Sequence, residues 1–308
     1  VGGPMYGCDM SRHAALSPSR AKDFKQCPLM FRFRTVDRLP EPPSLEALRG
    51  TLVHSVLEHL YDGPAVARTE EAAQGLLLPR WNAHLESKPR DRDLFEGPAH
   101  LETWLGSARA LIGNYFRMEN PTFIEPAARE QFVNARLASG LAVRGIVDRV
   151  DEAPNGALRI VDYKTGKSPG PRFQDEALFQ MRFYTAAIAL SRGKLARRTQ
   201  IIYLKDGRTL TYDPVPDDVD AVVFELDSIW NAIEERLDAA DFEHKPSRLC
   251  DWCHFQEHCP AFGGAAPPMS EEGAAALRTA KGTAPAEPSD EWRPAAHRRP
   301  RGGIQNSG

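Results

Sequence analysis

Residues 145–167, GIVDRVDEAPNGALRIVDYKTGK, constrain the fold more than any other stretch of the chain. Ile146 and Val147 lead into Asp148, Arg149 and Val150, and Leu158, Ile160 and Val161 lead into Asp162, Tyr163 and Lys164. Between the two runs stands Asn155-Gly156, a dipeptide suited to the tight turn of a β-hairpin. A hairpin here carries Asp148 and Asp162 towards one edge of a sheet. Side chains alternate faces along a strand, so Asp162 and Lys164 point the same way. Two carboxylates and an ammonium at the end of an apolar hairpin lose hydration that something must replace. A divalent cation does so, and so does an ordinary salt bridge at a solvated hairpin end. These three residues alone do not separate the two.

The flanking chain supplies more strands and helices. Residues 127–137, 140–150 and 158–165 read as successive strands with turns at Ser139-Gly140 and Asn155-Gly156, which predicts an antiparallel meander. Glu130 on the first strand is within reach of the carboxylates, although its default is an exposed strand position. A helix is expected over 173–192, with Gln180 and Tyr184 four apart on one face. Residues 199–204 and 209–212 read as strands, and 216–240 as a further helix. Upstream, apolar positions at helical spacing predict a helix over 44–62, where His54 and Glu58 share a face. Helices near 69–87 and 101–119 carry no evident chemistry. Helices inserted between strands make the class α/β, with the sheet sandwiched.

The N-terminal region is basic. Ser17 suits an N-cap and Pro18 the first helical position. The helix they start carries Arg20, Lys22 and Lys25 and meets Cys27-Pro28; Arg32, Arg34 and Arg38 follow, interleaved with Phe31 and Phe33. Cations among aromatics suit a nucleic-acid backbone, and equally a solvated helix face. The whole chain has 308 residues and a formal net charge of −3, so any nucleic-acid partner must meet a local basic surface. No run is long and apolar enough for a transmembrane helix, and residues 1–13 lack the apolar core of a signal peptide. A cytoplasmic location without membrane contact is therefore expected, with thiols kept reduced.

The five cysteines stand at 8, 27, 250, 253 and 259. Cys250, Cys253 and Cys259 are too closely spaced for a disulfide framework and point to a metal or cluster. Zinc would take its fourth ligand from His254 or His258. An iron–sulfur cluster wants four thiolates, and Cys27-Pro28 repeats the Cys-Pro ending of Cys259-Pro260. Residues 1–13 and 263–308 are read as disordered, the latter because Gly, Ala, Pro and Ser leave little apolar surface to offset chain entropy.

Taken in order, these motifs resemble the PD-(D/E)XK nuclease superfamily, in particular its RecB-like exonucleases with an iron–sulfur cluster, a group that includes CRISPR adaptation nucleases. The resemblance spans about residues 16–262. It rests on the serine-led helix ending in Cys27, Gly50-Thr-Leu-Val-His54, Gly145-Ile-Val-Asp148, Asp162-Tyr-Lys164, the Gln180–Tyr184 helix, and the triplet Cys250, Cys253, Cys259. It implies a restriction-endonuclease-like mixed sheet flanked by helices, with one nuclease domain over 14–262. It further implies a Mg²⁺ or Mn²⁺ ion held by His54, Asp148, Asp162 and the carbonyl of Tyr163. Lys164 would serve the attacking water or the phosphate, with Gln180 and Tyr184 as braces. Cys27, Cys250, Cys253 and Cys259 would hold a 4Fe-4S cluster that staples the N- and C-terminal parts. The implied function is metal-dependent DNA hydrolysis in repair or recombination, by an exonuclease on single-stranded ends. A helicase, repair or CRISPR partner would supply unwinding, since no Walker A motif occurs. The competing readings are a non-catalytic nucleic-acid-binding scaffold and a zinc-stapled protein with a plain salt bridge.

Overall fold

The structure is a computed structural model that describes residues 14–170 and 174–282. Expectations for residues 1–13, including Cys8, and for residues 283–308 lie outside the described residues.

Five strands form one mixed sheet in sequence order. These are β1 (Pro126–Arg136), β2 (Ala142–Glu152), β3 (Leu158–Lys164), β4 (Arg198–Tyr203) and β5 (Arg208–Tyr212). The expected meander β1-β2-β3 is antiparallel. β4 then pairs parallel to β3, because helix α6 (Asp175–Arg192, the sixth of the chain) crosses over between them. The other helices are α1 (Pro18–Gln26), α2 (Pro28–Phe31), α3 (Leu45–Leu60), α4 (Glu70–Ser87), α5 (Pro98–Met118), α7 (Pro216–Ala239) and α8 (Glu271–Arg278). Ser17 caps α1 through its side chain, as its position before Pro18 predicts.

Period-two alternation sorts β3 between two cores. Ile160 faces the core shared with α1, α6 and α7, whereas Val161 and Tyr163 face the core built by α3, α4 and α5. In β2 the alternation slips. Val147 and Val150, three residues apart, enter the same core, which a regular strand forbids. The slip falls at Asp148. Its neighbour across the ladder is Glu130, between the pairs Arg129↔Arg149 and Gln131↔Val147, and Glu130 has φ of 43°. A non-glycine residue there costs on the order of 1–2 kcal/mol, so packing elsewhere must hold the bend in place. The β2–β3 pairs also stop at Arg149↔Val161. Beyond that point the Asp148 carboxylate, instead of backbone, accepts the Tyr163 N–H at 2.6 Å. The two strands therefore part at Asp148 and Asp162.

The expected disorder over 263–308 is corrected for its first part. Arg32 donates to the Pro267 carbonyl, Asp37 accepts the Ser270 N–H at 2.8 Å, and Ser270 caps α8. Ala274, Ala276 and Leu277 are buried. The segment needs few large side chains because it packs backbone against backbone. A Cβ at Gly273 would collide with the Val36 carbonyl. The Ala142 N–H then donates to the Ala280 carbonyl at 3.0 Å, while the Ala142 carbonyl accepts from the Leu16 N–H at 2.9 Å.

Candidate active site

Where β2 and β3 part, five of the predicted residues converge. Asp162 on β3 is buried; its Oδ1 accepts from Gln180 Nε2 of α6 at 2.9 Å. Its Oδ2 lies 2.7 Å from Lys164 Nζ, as the shared face predicts, but the alignment makes no hydrogen bond and this buried oxygen is left under-satisfied. Asp148 Oδ1 lies 3.5 Å from His54 Nδ1 of α3. Tyr184, one turn beyond Gln180, packs against β2 at Gly145. A Cβ on residue 145 would fall 2.7 Å from the Tyr184 ring, which gives the glycine three residues before Asp148 its physical reason. Tyr163 turns its phenol away from this site, towards Arg149 on the other face.

Among the described residues, the potential ligand atoms that come within 4.8 Å of one another as a group of three belong to His54, Glu130 and Asp148. Glu130 thus joins two of the expected residues, with the Asp162–Lys164 pair alongside. The strand bend that brings Glu130 in has no sequence signal beyond the residue's position opposite Asp148. This donor set fits a divalent cation. Oxygen and imidazole donors meet on one spot, and the under-satisfied Asp162 oxygen adds another.

The electrostatics follow from burying four like-disposed groups. Burial, with Asp148 second, pushes the Glu130 carboxyl up to about 7. Burial likewise pushes Asp162 up to about 6 against the pull of Lys164. Burial lowers the affinity of His54 and Lys164 for protons, but the carboxylates around each outweigh it, and both end above their ordinary values. Lys164 is therefore a cation at neutral pH and not a general base. Raised pKa values mean that the folded state holds these protons more tightly than the unfolded chain does. The centre's contribution to stability is thus present at low pH and is lost as pH rises from about 4 through about 7. A bound cation reverses that loss. Added Mn²⁺ should raise the melting temperature more at about pH 8 than at about pH 5.5, by roughly 2–4 °C for each kcal/mol relieved. Glu130→Gln should raise the melting point of the metal-free protein at pH 8 and shrink the Mn²⁺ shift. Equal shifts at both pH values in a thermal melt would refute this.

A cleft of about 630 Å³ opens from Lys164, Gln180 and Tyr184 along β2 to the start of α1, where Arg20, Lys22 and Arg144 line it. Burial, joined by repulsion from Arg144 and Arg38, pulls the Arg20 guanidinium down to about 10. The predicted basic helix thus faces the carboxylate site. A second opening is lined by Gly50, Thr51, His54, Glu58 and Glu130.

The four expected cysteines, all free thiols, line one small recess between the Cys27 turn and residues 244–262. Cys27 Sγ accepts from the Lys245 N–H at 3.4 Å and Cys250 Sγ from the Ser247 N–H at 3.3 Å. No three of these sulfurs lie within 4.8 Å of one another.

Behind the site lies a network that the sequence reading missed. Arg149 is buried and forms a two-pronged pair with Glu119 at 2.8 and 2.9 Å. It also contacts Asp151 and the hydroxyls of Tyr61 and Tyr163. An arginine beside an aspartate in a strand reads as a surface residue unless the partner Glu119, thirty positions away, is known.

The sequence profile described as PD-(D/E)XK nuclease superfamily matches residues 15–260. The chain belongs to the PD-(D/E)XK nuclease superfamily. Among curated relatives of this nuclease, "Gene 69 protein" of Mycobacterium phage L5 is 32% identical over 290 residues, covering 80% of this chain and 96% of the relative. Its counterpart in Mycobacterium phage D29 is 24% identical over 273 residues with the same coverage. A crystal structure from Eubacterium rectale, described as "Putative exonuclease", has 16% identity and a TM-score of 0.52, covering 82% of this chain and 93% of that one. That likeness supports the nuclease fold alone. The superfamily implies a DNA substrate, and among the described residues no helix is long and apolar enough to cross a membrane.

Proposed function

We propose that the chain is a Mg²⁺- or Mn²⁺-dependent DNA exonuclease of the RecB-like group, acting on single-stranded ends. The observation that carries this reading is the Asp162–Lys164–Gln180 arrangement, which opens on the same cleft as the cations of α1 and adjoins the donor set His54, Glu130 and Asp148. His54, Glu130, Asp148 and Asp162 would hold the cation, with the Tyr163 carbonyl as a further donor carried over from the resemblance. When bound, it polarises a phosphoryl oxygen and acidifies a water. The chain's own groups do the rest. Arg20, Lys22 and Arg144 attract the phosphates. Protonated Lys164 presents a fixed positive charge to the oxygens that gain charge during attack. Gln180 fixes the Asp162 carboxylate in one orientation, and Tyr184, kept as a neutral phenol by burial, offers an O–H donor to the cleft.

End-labelled single- and double-stranded oligonucleotides digested with Mg²⁺, Mn²⁺ or EDTA test this. Metal-dependent shortening from one end of the single strand is expected. Binding without cleavage in either metal would favour the scaffold reading, and internal nicking would overturn the exonuclease assignment.

We propose in addition that Cys27, Cys250, Cys253 and Cys259 hold a 4Fe-4S cluster. Two backbone N–H donors already point at sulfurs of this recess. A zinc ion at about 2.3 Å from each sulfur would draw the sulfurs to about 3.8 Å apart, closer together than any three of them stand here. A four-iron cluster spans more space. The link would close the long loop between Cys27 and Cys250, worth on the order of 5 kcal/mol by analogy with a disulfide. Anaerobically purified protein should contain iron and acid-labile sulfide in equal amounts, and Cys253→Ala should lose both. Zinc without iron would overturn the cluster and leave the staple.

A further inference from the structure

The outward row of the β1–β2 ladder breaks its own rule beside the cleft. Outward positions of a sheet with one packed face are ordinarily polar. Asn134 and its partner Arg144 obey this. The next cross-strand pair, Phe132 and Ile146, does not: the two are 56% and 50% exposed. Scattered exposed apolar side chains need no explanation. These two differ because they are directly paired and both line the cleft that holds Lys164 and Gln180. Phe132 lies two residues from Glu130, and Ile146 two residues from Asp148, a distance of about 7 Å along the strands. Stacked nucleotides rise about 3.4 Å each, so the pair sits roughly two bases from the carboxylates. The polar side of the same cleft carries Arg20, Lys22 and Arg144 together with Glu176; Lys22 pairs with Glu176, and Arg20 donates to the Ala15 carbonyl at 2.7 Å.

We propose that Phe132, buttressed by Ile146, is a stacking platform for one unpaired base of a single-stranded nucleic acid whose phosphates lie along Arg20, Lys22 and Arg144. The inference rests on the nuclease reading and adds how a single strand is preferred. A base presents a free π-face only when it is out of a duplex, and aromatic stacking is indifferent to which base it is. The cations alone would hold both forms of DNA; the exposed ring favours the unpaired one. Because Phe132 is at the surface, truncating it costs the fold little, unlike Val133 or Val147 beside it.

The test uses the full chain in EDTA and a fluorescent twenty-nucleotide oligothymidylate, with a blunt duplex of the same length as the comparison. Phe132→Ala should weaken single-strand binding about 5- to 150-fold, and Phe132→Trp should stay within about threefold of the parent. Duplex affinity should stay unchanged in both variants. In the parent, one abasic position moved along the oligonucleotide should weaken binding at a single register, and Phe132→Ala should erase that dependence. Unchanged single-strand affinity in Phe132→Ala, alongside metal-dependent cleavage by the parent, overturns the platform and leaves the nuclease standing. Such a result would point to a protein partner for this pair. A parent chain that neither binds nor cuts any oligonucleotide removes both.

Discussion

Lys164→Met is expected to lower DNA cleavage by about 10²- to 10³-fold or more, the usual loss when a fixed charge donor to a developing oxyanion is removed. The Asp162 carboxylate, already pushed up to about 6 by burial, would lose the stronger of the two groups that pull it down and keep only His54. It would therefore be protonated at neutral pH and make a poor cation ligand. Two effects should appear together: the chemical step slows, and the metal concentration needed for half-maximal activity rises. Lys164→Arg should not rescue, because a planar fork cannot take the place of a compact ammonium beside Asp162. Oligonucleotide binding in EDTA should persist, since Arg20, Lys22 and Arg144 are untouched. Single-turnover rates across a Mn²⁺ titration measure both effects. Cleavage within about threefold of the parent would remove Lys164 from the chemistry, given the size of such losses elsewhere.

Arg149→Met should have the largest effect on stability. Removing one partner of a buried ion pair costs about 3–5 kcal/mol, because the charge left behind is stranded. Here Glu119 and Asp151 lose their common guanidinium, and the hydroxyls of Tyr61 and Tyr163 lose a donor. The melting temperature should fall on the order of 10 °C. Glu119→Gln in the same chain should recover part of the loss, which a double-mutant cycle resolves. A fall of only a degree or two would mean that Arg149 is not the anchor of this face. Activity should suffer as well, because Arg149 adjoins Asp148 in β2 and grips Tyr163, which lies between Asp162 and Lys164. It acts through the placement of β2 and β3, and a raised metal requirement at unchanged nucleic-acid affinity would distinguish this from general unfolding.

Much of the frame was legible because it is local. The Asn155-Gly156 turn, the apolar runs on either side and the helical spacing of residues 44–62 each fix an element without knowledge of its neighbours. Asp162 and Lys164 share a face for the same reason. What escaped depends on partners far away. The bend that turns Glu130 towards His54 is held by packing, since Glu130 itself disfavours a positive φ. Arg149 is buried because Glu119, Tyr61 and Tyr163, from three separate parts of the chain, meet over it. The segment after residue 263 looked too poor in large apolar side chains to be ordered. Its signal was Ser270 followed by Glu271 and Glu272, a capped helix start, and small residues can pack where backbones touch.

Ala142 has a consequence for the topology of the chain as a whole. Its carbonyl holds Leu16 and its N–H holds Ala280, so the first and last described segments meet end to end on one strand residue. The described part of the polypeptide is thus nearly a ring, cut at a point away from the carboxylates. A circular permutant that joins these ends through a short glycine–serine bridge, with new termini at the exposed Asp206-Gly207 turn of the β4–β5 hairpin, keeps every strand pairing described above. In such a molecule α1 and its cations would hang from covalent bonds on both sides, so the grip on the cleft would no longer depend on how the natural ends are held.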